Sequence, residues 1–190
     1  MSDAAGTRGA AVAAGVSLIV MALISPVGLL VALPAGHTEV AALVAMTVAV
    51  LDIVVGVAAG VVLAPAGALL ARTAAATRIA YGALLAMATT ELVDPADADR
   101  FTRAWDAALF VFAVHLLVVA AALGRMTGVH WIVPAAVALA GVGYLVDATA
   151  TLADVDLPVS AGALLFWGEL VLIWWLLARA GRPSGGADRG

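Results

Sequence analysis

The chain has 190 residues, of which 65% are hydrophobic and 12% are charged, and its formal net charge is −4. A water-soluble domain of this size does not have such a composition, so we predict an all-α, polytopic membrane protein. The lack of cysteine excludes disulfides and thiolate or Cys-metal sites. An acidic chain without a basic cluster argues against nucleic acid as a partner.

Six apolar stretches follow one another along the chain, and each approaches the length of about 20 residues that a membrane span needs. The first is longer than the roughly 7–15 apolar residues of a signal peptide, which favours a permanent helix. The third is the least apolar, because Arg78 and Glu91 lie within its limits. Tails at residues 1–9 and 181–190 remain, and we expect the second to be disordered. The predicted spans cover residues 10–33, 40–63, 74–93, 105–123, 131–152 and 159–180.

The distribution of arginine predicts the orientation of these spans. Only Arg100 and Arg103 fall on one side, and the positive-inside rule therefore places the other side, with both termini, in the cytoplasm. Basic residues that are all arginine, with abundant Ala, Val and Gly, are typical of a GC-rich bacterial genome. We therefore predict a six-helix transmembrane bundle in a bacterial cytoplasmic (inner) membrane. The seven arginines on the cytoplasmic side are Arg8, Arg72, Arg78, Arg125, Arg179, Arg182 and Arg189.

The loop before the fourth span carries the signals of a helix start. Asp94 precedes Pro95, a pair typical of a helix cap followed by a first-turn proline. Phe101 and Trp105 would then hold a short helix at the membrane interface. We interpret Asp106 as structural, because the first turn of the fourth span would place it where the helix dipole favours an acid.

Four ionisable residues fall well inside the predicted spans: Asp52, His115, Asp147 and Glu169. An ionised carboxylate at the centre of a membrane helix costs roughly 2.5–3.5 kcal/mol, so such residues are seldom idle. Protonation, pairing with His115, or a water-filled or ligand-filled cavity would each reduce that cost. For Arg78, one turn inside the third span, we expect snorkelling to the inner surface rather than an ion pair with a buried acid.

The acids of the second and fifth spans leave two interpretations open. Gly56 and Gly60 share the helix face of Asp52, which lets another helix approach, so Asp52 faces protein and is either a functional group or a link between two helices. Asp147 shares its face with Gly143 and Thr151, and Tyr144 lies one turn before it. That face lines either a tight helix contact or a wet cavity.

His115 and Glu169 differ in what surrounds them. His115 is either a hydrogen-bonded packing residue or the group most able to exchange a proton near neutral pH. Glu169 has only apolar neighbours one turn away on its own helix, so its partner must come from another span. We therefore regard Glu169 as the leading functional candidate.

These residues together suggest a buried polar pocket that binds or moves a small molecule or a proton. Alternatives are a membrane enzyme whose buried carboxylates act as general acids on a lipid-soluble substrate, and a structural or accessory subunit whose polar groups specify packing. No cofactor motif or metal-ligand spacing is present in the sequence. Expected partners are membrane lipids and a small lipophilic ligand, and small-residue faces are compatible with a homodimer. The candidate ligand- or proton-binding residues are Glu169, His115, Asp147, Asp52 and Tyr144.

The second half of the chain also resembles a known family. The segments "HLLVVAAALGRMTGVHWIVPAAVALAGVGYLVDATATL" and "GELVLIWWLLARAG" are similar to the bacterial domain of unknown function 4386 family of small multi-pass membrane proteins. The resemblance implies the topology given above but no chemistry, because the activity of that family is not established. In the third span the family often carries an acid soon after the arginine, where this chain has Tyr81. The matching positions are His115, Arg125, Pro134, Gly143, Tyr144, Asp147, Gly168 and Glu169.

Overall fold

Long apolar helices follow one another through the computed structural model, which describes residues 2–93 and 95–180. The middle part of each long helix consists mainly of Ala, Leu and Val. Glycines in the left-handed region, Gly36, Gly67 and Gly128, lie in the connections where the chain turns. The helices are α1 (Ser2–Pro26, continued by a π-helical segment, Val27–Ala32), α2 (Thr38–Val62), α3 (Ala68–Thr89), α4 (Ala98–Arg125), α5 (Ile132–Leu152), α6 (Ala161–Leu165) and α7 (Trp167–Ala180).

Five helical segments are long and apolar enough to cross a membrane, which confirms the prediction of an all-helical, multi-pass membrane protein. The α3 helix has 22 residues and is therefore long enough, but Arg72 and Arg78 make it less apolar than the others. Its crossing thus stays a prediction. The five segments are Ala5–Ala32, Thr38–Val62, Ala98–Arg125, Ile132–Leu152 and Ala161–Ala180.

The predicted start of the fourth helix is wrong. The α4 helix begins at Ala98 rather than at residue 105, so Phe101 and Trp105 belong to it and not to a separate interfacial helix. Its cap is Asp97, whose side chain accepts a hydrogen bond of 2.9 Å from the Arg100 amide. Asp94, the predicted cap, and the predicted disordered tail over 181–190 lie outside the described residues.

The last predicted span is interrupted at Phe166, which separates α6 from α7. Ser160 begins α6 by accepting a hydrogen bond of 3.0 Å from the Ala163 amide. After the interruption, the Glu169 amide donates to the Phe166 carbonyl over 2.8 Å, a short-range bond of a tightened turn. Glu169 consequently lies in the first turn of α7.

The helices close into a ring, because each helix from α1 to α4 packs against the next, α5 packs against both α6 and α7, and α7 packs against α1. Glycines bring neighbouring helices close together at two places that matter for the site. A side chain at Gly82 of α3 would collide with the Ala49 carbonyl of α2, and one at Gly168 of α7 would collide with the Ala136 carbonyl of α5. These close approaches position the polar residues of α2, α3, α5 and α7 around the centre of the ring.

Candidate ligand cavity

A cavity of about 770 Å³ lies at the centre of the ring and is lined by residues of all the helices. It extends to the connection between α5 and α6, where Asp156 and Ser160 line it and are exposed, so it opens at that end. Most of its other lining residues are apolar. The polar and ionisable ones on the helices are Ser25, Asp52, Arg78, Tyr81, Trp105, Asp106, Tyr144, Asp147, Thr151 and Glu169.

An ion pair joins the middle of α2 to the middle of α3. Arg78 Nη2 lies 2.5 Å from Asp52 Oδ1, and the two side chains are only 4% and 1% exposed. Gly56 makes room for the pair, because a Cβ at that position would lie 3.3 Å from the Arg78 Cβ. The expectation that Arg78 snorkels to the surface is therefore wrong, and its alternative, an ion pair with a buried acid, is what the structure shows.

This ion pair is incompletely hydrogen-bonded. Although the two ions touch, neither Asp52 oxygen nor Arg78 Nε has a well-directed hydrogen bond among the described residues. The Arg78 guanidinium lies instead over the ring of Phe112, 4.7 Å from its centroid, in a cation–π contact. The pair is thus electrically balanced but keeps unused donor and acceptor capacity at the cavity wall.

A second polar pair joins α5 to α7. The Tyr144 hydroxyl donates a hydrogen bond of 2.5 Å to Glu169 Oε1. This confirms that the partner of Glu169 comes from another helix. Both residues are half-buried and line the cavity, so the carboxyl group of Glu169 faces the space inside the ring.

Aromatic rings connect the two pairs. The ring of Phe112 lies 4.9 Å from that of Tyr81 and 5.2 Å from that of Tyr144, measured between centroids. Trp105 Nε1 donates to the Tyr81 hydroxyl over 3.0 Å, so the polar groups of both aromatic side chains have a partner. Sequence reasoning missed this cluster. The only available signal was that Tyr81 shares a helix face with Arg78, three residues before it.

Asp147 contacts the start of α6. Its carboxylate accepts hydrogen bonds from the Ser160 hydroxyl (2.6 Å) and from the amides of Ala161 (2.8 Å) and Gly162 (2.7 Å). A carboxylate at a helix start is favoured by the free amides and by the helix dipole. Of the two interpretations of Asp147, the structure thus favours the helix contact, although the residue also borders the cavity.

His115 is not brought into the cavity. It is 2% exposed, and its Nδ1 donates a hydrogen bond of 2.9 Å to the Ala74 carbonyl, so it fastens α4 to α3. Its ring lies behind Phe112, at 6.1 Å between centroids. This geometry favours the packing interpretation and leaves His115 apart from Asp52, Tyr144, Asp147 and Glu169, which all line one space.

Asp106 has a different place from the one predicted. Because α4 begins at Ala98, Asp106 lies in the third turn and not in the first, too far from the helix start for the dipole to explain it. It is half-buried and lines the cavity. The predicted position of Asp106 in the first turn is therefore wrong.

Within residues 2–93 and 95–180, no group of three or more His, Asp and Glu side chains is arranged to hold a metal ion. No protein-family model, curated protein or solved structure matches the chain. The resemblance to the domain of unknown function 4386 family therefore stays a prediction.

Proposed function

We propose that this protein binds a small lipophilic molecule in the central cavity, with Glu169 as the polar anchor of the site. The observation that carries the proposal is the cavity itself. A volume of about 770 Å³ falls within the roughly 300–1,000 Å³ of small-molecule sites, and a mostly apolar lining with a few convergent polar groups is the usual composition of such sites.

Glu169 is the anchor rather than Asp52 or Asp147, because those two acids are already engaged. Asp52 is paired with Arg78, and Asp147 accepts three hydrogen bonds at the start of α6. Glu169 has the Tyr144 hydroxyl and no cation among the described residues. Its carboxyl group therefore has spare capacity to accept a hydrogen bond, or a counter-charge, from a molecule inside the ring.

The same proposal includes the placement in the membrane. We infer that α3 is a sixth crossing, since it lies in the ring between α2 and α4 and its Arg78 is neutralised by Asp52. Six crossings put both termini on one side. With Arg78 removed from the seven cytoplasmic arginines, six remain against Arg100 and Arg103, which still favours cytoplasmic termini in a bacterial inner membrane. The cavity then opens toward the outer face.

Native mass spectrometry of the full chain, purified in mild detergent, tests the proposal. We expect an adduct of fixed mass on the wild type and on Glu39→Gln, and its loss from Glu169→Gln. Glu39 is the matched control because it is exposed at the start of α2, away from the cavity, and undergoes the same chemical change. A bare mass for the wild type, or an adduct that survives Glu169→Gln, would contradict the proposal.

A further inference from the structure

We propose that the ligand of the cavity is a lipophilic organic cation. This inference rests on the proposed function and names the chemical class of the molecule. The inference is based on the charged residues that line the cavity, which are five acidic residues and one arginine. The acids are Asp52, Asp106, Asp147, Asp156 and Glu169.

The charge excess remains after the internal pairing is taken into account. Asp52 and Arg78 neutralise each other across 2.5 Å, so Arg78 is not free to receive an anion. The other four lining acids have no ion-pair partner among the described residues. The lining therefore has an excess of acidic groups over basic ones. An anionic ligand would meet repulsion from those acids that are ionised, whereas a cation would meet attraction and would favour their ionised form.

The acids also mark a route from the mouth to the anchor. Asp156 is exposed at the open end, in the connection between α5 and α6. Asp106 and Asp147 lie deeper, on α4 and α5, and Glu169 follows on α7. A cleft lined by one sign of charge between apolar walls concentrates ions of the opposite sign. Here it would concentrate cations.

Aromatic walls suit a cation that carries apolar substituents. Tyr81, Trp105, Phe112, Tyr144 and Phe166 all line the cavity. Aromatic faces attract cations, most strongly where water is excluded, and the Arg78 guanidinium over Phe112 already uses one such face. An inorganic cation would instead need several oxygen ligands at once, and the described residues provide no cluster of that kind.

Two probes of the same shape and opposite charge test the inference: tetraphenylphosphonium and tetraphenylborate. Binding to the full chain in lipid nanodiscs is measured by equilibrium dialysis, as the excess over protein-free nanodiscs. We expect saturable binding of the phosphonium and none of the borate. Glu169→Gln should weaken phosphonium binding by at least about tenfold, as expected when one partner of a desolvated charge pair is removed. Glu39→Gln should leave it unchanged.

Phe166→Leu provides a second variant if Glu169→Gln does not fold. Phe166 is a partly exposed lining residue at the interruption between α6 and α7, and losing its ring should weaken phosphonium binding several-fold. The inference would be overturned if tetraphenylborate bound as strongly as tetraphenylphosphonium, or if neither variant weakened the binding of tetraphenylphosphonium. A neutral or anionic adduct in the native mass spectrum, lost from Glu169→Gln, would contradict the assignment of the ligand as a cation but would still support the binding function.

Discussion

The ion pair between Asp52 and Arg78 makes an asymmetric prediction about stability. Asp52→Leu would leave a buried arginine without its counter-charge, with only the cation–π contact to Phe112, and Arg78→Met would leave a buried aspartate without its counter-charge. An unpaired charge at a membrane-helix centre costs roughly 2.5–3.5 kcal/mol, and breaking a buried pair costs about 3–5 kcal/mol. Arginine cannot lose its proton in a protein, whereas the lone aspartate can gain one and become neutral. We therefore expect Asp52→Leu to be the more damaging change, at about 3–5 kcal/mol.

The double variant Asp52→Leu/Arg78→Met separates the energy of the interaction between the two residues from the effect of replacing each one. Leucine branches at the same carbon as aspartate and methionine is flexible, so both fit the space between α2 and α3 with little strain. Replacing both ions by apolar groups is often neutral or stabilising, which predicts a coupling energy of several kcal/mol in the double-mutant cycle. The assay is reversible unfolding in mixed micelles, followed by circular dichroism. If Arg78→Met is at least as damaging as Asp52→Leu, or if the two effects simply add, the reasoning is refuted.

Two further predictions concern the contacts of α5. A methyl group at Gly168 would collide with a backbone carbonyl of α5, so Gly168→Ala should destabilise the same unfolding transition by about 1–3 kcal/mol, whereas Gly124→Ala, where nothing lies within 4 Å, should not. A destabilisation by Gly124→Ala equal to that of Gly168→Ala would contradict this account. Asp147→Asn removes the negative charge that accepts hydrogen bonds from the amides at the start of α6. Hydrogen exchange of the amides at 161–163 should therefore become at least about fivefold faster, the factor that corresponds to a loss of roughly 1 kcal/mol. Asp156→Asn is the control, and equal exchange in both variants would show that Asp147 does not hold α6.

The helices were predictable because the membrane solvent leaves little choice of structure. Backbone groups in hydrocarbon must be satisfied within the chain, so a long apolar stretch becomes a helix. The boundaries were less predictable. The segment from Ala98 to Trp105 contains several charged residues, which indicate a loop, yet it forms the polar first part of α4. The interruption at Phe166 has no proline and therefore no local signal.

The error on Arg78 shows how a boundary determines an interpretation. A third span that begins at residue 74 places Arg78 one turn inside the membrane, within reach of the surface. The α3 helix begins at Ala68, so ten residues, or about 15 Å, separate its start from Arg78. On the proposed sixth crossing, with the membrane entered near Ala68, that distance is about half of a bilayer core of roughly 30 Å, too deep for snorkelling. A buried cation then requires a buried anion, and Asp52 supplies it from the neighbouring helix.

Asp147 and Glu169 show what a single sequence could not distinguish. Both are acids in apolar helices, and both lie within one turn of a glycine. The break before α7 separates their roles. It leaves the short α6, whose free amides take up the Asp147 carboxylate, and it places Glu169 in the first turn of α7, beside Tyr144 and facing the cavity. The Asp147 carboxylate is therefore engaged with the backbone of α6, whereas the Glu169 carboxyl group remains available to a molecule inside the ring. The chemical difference between the two arises from the helix interruption, and only the three-dimensional structure contains it.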